Sequence, residues 1–222
     1  MRPFLDDFEA LTRIFRIVKE AYSPSITIDR EFTRKTAKLV QEHTESGKIE
    51  PIIGVYEIND ETLRKIDGSK LSDREKVFNL LKTIVKHVTE GADDLPYLRS
   101  IGEKADEIIS RYNAGQEKTH ETLVALKACI EEAIEAHHEQ KSKGMQNEVF
   151  SVYWLFRKEG IAEPEERAND MKEAFETNPH WKTSESHERE VRRKLYGILG
   201  RAGFDDFIEF GKKIMSILRG RG

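Results

Sequence analysis

The sequence predicts an all-α protein, a multi-helix bundle of about nine or ten helices, and three observations carry that expectation. Apolar residues recur three and four positions apart along most of the chain, the spacing that lines one face of an α-helix. The 14 glycines and 6 prolines mostly fall between those periodic stretches, where helices stop and start. Charged residues make up 35% of the chain against 37% apolar, a balance suited to helices with one solvated face.

The first expected helix spans 5–22, with Leu5, Phe8, Leu11, Ile14, Phe15 and Val18 on one stripe. Ser23-Pro24 ends it, because the residue before proline is pushed out of helical geometry. A second helix runs from about Asp29 to Thr44 with a thin apolar face, and Gly47 stops it. Residues 1–48 thus read as an N-terminal helical pair. The run IEPIIGVYEI, 49–58, is rich in β-branched residues and contains Pro51 and Gly54, so it reads as an extended connector or a short edge strand. It is the expected boundary before a C-terminal helical domain, 59–222.

Within that domain Asn59 or Asp60 caps a short helix through Ile66. Ser72 and Glu75 have the spacing of a capping box and open a strong helix ending at Gly91. Pro96 sits at a first-turn position of the next, which uses Leu98, Ile101, Ala105, Ile108 and Ile109 and ends near Tyr112. A long helix follows from about Thr119 to Ser142. Residues 148–159 form a helix rich in aromatics, with Phe150, Tyr153, Trp154 and Phe156. Pro164 starts one more, through Phe175. A final helix runs from Asp205 to Leu218.

Between the last two lies PHWKTSESHEREVRRKLYGILGRAGF, 179–204, whose two ends are both specified. Thr183 or Ser184 stands where an N-cap belongs, and Glu185 and Glu188 suit the positive end of the helix dipole. Val191, Leu195, Ile198 and Leu199 share a face, and Gly200 and Gly203 close the helix. Trp181 is an aromatic anchor ahead of the cap.

The formal charge of -4 is too small to argue for a polyanionic partner. Its distribution says more: residues 184–222 hold 9 basic against 6 acidic side chains. That end is the expected electrostatic footprint for DNA or a partner, and its candidate contacts are Arg189, Arg192, Arg193, Arg201, Lys212, Lys213 and Arg219, with Trp181 beside them. The competing reading makes them the solvated side of two amphipathic helices, interleaved with Glu188, Glu190 and Glu209. Trp154 and Trp181 read as core or interface anchors before they read as base-stacking platforms.

No catalytic constellation emerges. His137 and His138 with Glu135 and Glu139 are the nearest approach to a metal cluster, but adjacent residues diverge by about 100° on a helix, and no H-x-x-x-H pair occurs. Glu139-x-Lys141 resembles a nuclease dipeptide without the strand that should precede it. Cys129 lies among apolar residues with no local base, the setting of a buried small hydrophobe. The phosphate loop G-x-x-x-x-G-K-[ST], G-x-G-x-x-G and G-x-S-x-G are all absent. No catalytic, cofactor-binding or metal-ligating residue is expected in this chain.

One cysteine excludes an internal disulfide and fits a reducing compartment. No run approaches the roughly 20 apolar residues of a membrane span, and acids interrupt MRPFLDDFEALTRIF, so a signal peptide is not expected. The expectation is a soluble, cytoplasmic protein with no membrane partner. Met1 precedes a helix that lacks a capping sequence, which suggests a piece of a longer chain.

Three blocks, which together cover nearly the whole chain, resemble a known family. They are FLDDFEALTRIFRIVKEAYSP near the start; YEINDETLRKI with IGEKADEIISRYNAG and LVALKACIEEAIEA; and NEVFSVYWLFRKEG continuing through FETNPHWKTSESHEREVRRKLYGILGRAG. The order resembles the C-terminal helical region of the R (restriction) subunit of type I restriction–modification enzymes, and HWKTSESHEREVRRKLY is its most distinctive part. The resemblance implies a non-catalytic docking domain of an ATP-dependent DNA translocase and endonuclease. ATP and magnesium would be used elsewhere in that enzyme. The partners implied are the methyltransferase (M) and specificity (S) subunits, with DNA reached through the full complex. No catalytic residue carries over.

Overall fold

Ser72 opens the first long helix as its spacing to Glu75 predicts: the Glu75 carboxylate accepts from the Ser72 amide at 2.8 Å, and the Ser72 hydroxyl accepts from the Glu75 amide. This geometry comes from a computed structural model that describes residues 58–220. The expected pair at 1–48 and all of the connector except Ile58 lie outside the described residues.

Among the described residues every regular element is a helix. In chain order these are α1 (Thr62–Asp67), α2 (Asp73–Gly91), α3 (Leu98–Asn113), α4 (Thr119–Lys143), α5 (Asn147–Lys158), α6 (Pro164–Asn169), α7 (Lys172–Thr177), α8 (Glu185–Arg201) and α9 (Phe207–Arg219). No helix of the described residues is long and apolar enough to cross a membrane.

The long α4 packs against both α2 and α3, which also touch each other. The second group is built on α5, which packs on α6 and α9, while α8 lies against α9 and α7. One continuous apolar core joins the two groups.

The centre of that core is α5. Its eight consecutive residues from Val149 to Phe156 are all buried, the mark of a helix enclosed on every side. Trp154 stacks on Phe150 at 6.1 Å between ring centroids, and Tyr97, just ahead of α3, meets Phe150 edge-on at 5.3 Å. The joint is also hydrogen-bonded, since the Tyr97 amide donates to the Ser151 hydroxyl at 3.1 Å. A second tie runs from the buried Arg99 guanidinium to the Ile217 carbonyl in α9, at 3.0 Å. Asp93 takes another proton of the same guanidinium at 2.7 Å.

Several boundaries differ from expectation. Pro96 stands in the turn before α3, two residues ahead of its first helical position. The helix expected over Pro164–Phe175 is divided into α6 and α7 around Asp170 and the buried Met171. It starts from Glu163 at φ 54, a left-handed conformation that carries strain for a residue with a Cβ. The 179–204 helix begins at Glu185 and runs through Gly200, so Gly203, at φ 70, alone supplies its left-handed closure.

Candidate interaction surface

Helix α8 is fixed from inside by Val191, Leu195, Ile198 and Leu199, all buried. The extended Ser184 precedes it without a side-chain cap bond, its hydroxyl lying 3.0 Å from that of Ser186. Glu185 and Glu188 occupy the first turn. Helix α9 answers with Phe210, Ile214, Met215, Ile217 and Leu218. At the crossing, Gly211 lets Tyr196 lie against the α9 backbone: a Cβ there would come within 2.3 Å of the Tyr196 ring.

The predicted basic positions separate into three groups. Arg192 and Arg219 converge on Glu188, whose side chain is only 8% exposed. Arg219 reaches it across the α8–α9 interface at 2.5 Å. These two are therefore clamp residues that neutralise a buried carboxylate, not free contacts. Arg193, Lys212 and Lys213 are exposed but carry acidic neighbours: Arg193 bonds Glu190, Lys212 bonds Glu209 at 2.5 Å, and Lys213 lies 4.0 Å from Glu159. The hydrogen bond that Lys212 donates to Glu209, more than the charge of that carboxylate, raises the ammonium above its ordinary range. Arg189 and Arg201 are exposed and have no carboxylate partner among the described residues; Lys194, half-buried, shares that state.

Trp181 anchors inward. At 3% exposure it is a core side chain, packed 5.7 Å from Phe175 with the Lys182 ammonium 5.5 Å from its ring. No base or partner can stack on it in this fold.

Between α7 and α8 lies an open groove of about 430 Å³, lined by Glu173, Ala174, Thr177 and Asn178 on one wall. Glu190, Arg193, Lys194, Gly197 and Arg201 form the other. It unites Arg193 and Arg201 from the predicted set with two residues that sequence reasoning passed over as contacts, Lys194 and Gly197. The available signal was the i, i+4 recurrence of Arg189, Arg193, Gly197 and Arg201.

The other candidate groups are held by neighbours. Glu139 accepts from Tyr153 and Arg157, and Glu135 from Arg157 at 2.6 Å. His138 lies 3.4 Å from Asp60, and His137 is 6.4 Å from His138 between ring centroids. Among the described residues no group of three or more His, Cys, Asp or Glu is arranged to hold a metal ion. Cys129 is fully buried, and burial pushes its thiol up to about 11, with Lys104 lowering and Glu132 raising it.

A scan against models of protein families, a search of curated proteins and a search of solved structures each returned no match.

Proposed function

We propose that this chain is a non-catalytic helical docking domain of a type I restriction enzyme R subunit. It contacts the methyltransferase–specificity core and supports the motor of an ATP-dependent DNA translocase and endonuclease. The observation that carries the reading is the behaviour of the stretch resembling that family most closely. Residues 179–204 bury Trp181, Val191, Leu195, Ile198 and Leu199 inward and turn Arg189, Arg193 and Arg201 outward. A segment so anchored on one side presents a rigid charged face on the other, which is what assembly with a neighbouring subunit needs. In this reading ATP and magnesium act elsewhere in the parent enzyme, DNA is reached through the full complex, and the setting is cytoplasmic.

Sedimentation of the chain mixed with the methyltransferase–specificity complex tests the proposal. A joint species is expected, together with no ATP hydrolysis or DNA cleavage by the chain alone in the presence of DNA and magnesium. Separate boundaries, or turnover by the pure chain, would overturn it. Charge reversal at the exposed Arg193 and Lys212 should weaken the joint species while leaving the circular dichroism spectrum intact. Arg192 is unsuitable for that test because it also holds Glu188.

A second reading, a stand-alone helical DNA-binding or protein-interaction module, is favoured by Arg189, Lys194 and Arg201 on α8, which have no carboxylate partner among the described residues. Salt-dependent binding of duplex DNA by the isolated chain is its signature.

A further inference from the structure

Glycine inside a helix gives up conformational freedom and offers no side chain to pack, so its presence calls for a reason. Most glycines among the described residues have one. Gly115, Gly144, Gly160, Gly203 and Gly220 take positive φ, and at Gly91 and Gly211 a Cβ would collide with Leu98 or Tyr196. Gly197 and Gly200 have neither reason. Both lie within α8, neither has a positive φ, and a Cβ at either would meet nothing within 4 Å. Among the described residues nothing packs against either bare position.

Around Gly197 the exposed face of α8 is basic. Arg189, Arg193, Gly197 and Arg201 follow one another at i, i+4 and so share a stripe, with Lys194 at the groove edge. Glu190 pairs with Arg193, and Glu173 faces the groove from α7. The remaining cations have no carboxylate partner among the described residues.

We infer that this stripe takes the sugar–phosphate backbone of duplex DNA, with Gly197 at the point of closest approach. From Arg189 to Arg201 the helix rises about 18 Å, a length over which one DNA strand presents about five phosphates. Arg189, Arg193, Lys194 and Arg201 are spread along that rise, whereas a side chain at 197 would hold the strand away. Glu173 and Glu190 keep the net charge of the groove low, so binding is modest and strongly salt-dependent. Contacts confined to the backbone read no base sequence. The contact deepens the DNA-binding reading and needs no methyltransferase partner.

The test is a titration of the full chain against a fluorescent duplex of about 30 base pairs. Four phosphate contacts predict an affinity that falls about a hundredfold between about 50 mM and 200 mM salt. Lys194→Ala combined with Arg201→Ala should halve that salt slope. Gly197→Leu should weaken binding at least tenfold without lowering the melting temperature, since leucine is the better helix former and the site is open. Gly197→Leu binding as the wild type does would overturn the groove while leaving DNA contact elsewhere on the chain. No binding by the wild type at about 50 mM salt would overturn both. Displacement by polyglutamate as effective as by DNA of equal charge would assign the stripe to an acidic protein instead. Should Gly197→Leu fail to fold, an unchanged salt slope in the Lys194/Arg201 double variant would itself sink the inference.

Discussion

A carboxylate deprived of most of its water needs compensating charge on more than one side. Glu188 has it: Arg192 closes on one oxygen from the same helix, and Arg219 on the other from α9. Glu188→Ala should therefore destabilise the fold by about 2–3 kcal/mol in a urea titration, leaving Arg219 half-enclosed and unpaired. Arg193→Ala, on an exposed pair, should change stability by no more than about 0.5 kcal/mol. The contrast separates clamp from surface among arginines that look alike in the sequence. Tyr97 offers the opposite case. Its hydroxyl is fully buried with no hydrogen-bond partner among the described residues, and burial pushes its pKa up to about 12. Removing an unsatisfied polar atom while keeping the ring is neutral to favourable, so Tyr97→Phe should leave stability unchanged or raise it by about 1 kcal/mol by calorimetry.

Two helices that cross closely depend on the smallest residue at the crossing. Gly211→Ala should cost about 1–3 kcal/mol, because the added methyl displaces the Tyr196 ring from the α9 backbone. A thermal melt of the variant, with wild-type helicity below the transition, would check it. At this scale much was legible from residue order alone. Ser72 with Glu75, the Gly91 stop and the apolar stripe of α8 declare themselves through local spacing. The break between α6 and α7 did not, since no proline or glycine stands at Asp170-Met171. Nor could periodicity reveal that α5 is buried all round, because enclosure depends on partners distant in sequence. The clamp on Glu188 was invisible for the same reason: Arg219 is 31 residues away and arrives only through the α8–α9 crossing. Which way Trp181 anchors was not legible either, because an aromatic ahead of a helix cap reads alike whether it points inward or outward.

Across the whole molecule the α2–α4 contact couples stability to pH. His87 on α2 is held below the ordinary 6.5, chiefly by burial and then by His137 on α4, with Glu90 opposing. His137 is held down by burial, then by Lys141 and His138. Both are therefore harder to protonate folded than unfolded. As pH falls through 6.5 the unfolded chain takes up protons first, so stability is lost from there down to the folded-state values and levels off below them. Urea midpoints should drop between about pH 7.5 and 5.5, and His87→Gln should flatten the drop.

The grip of Arg99 on the Ile217 carbonyl joins residues 118 positions apart, and Tyr97 ties the same corner to Ser151. Tension applied at the end of α9 would thus arrive at the start of α3 without passing through the intervening helices in turn. The end of α9 and the start of α3 are tied to each other directly, although most of the described chain separates them in sequence.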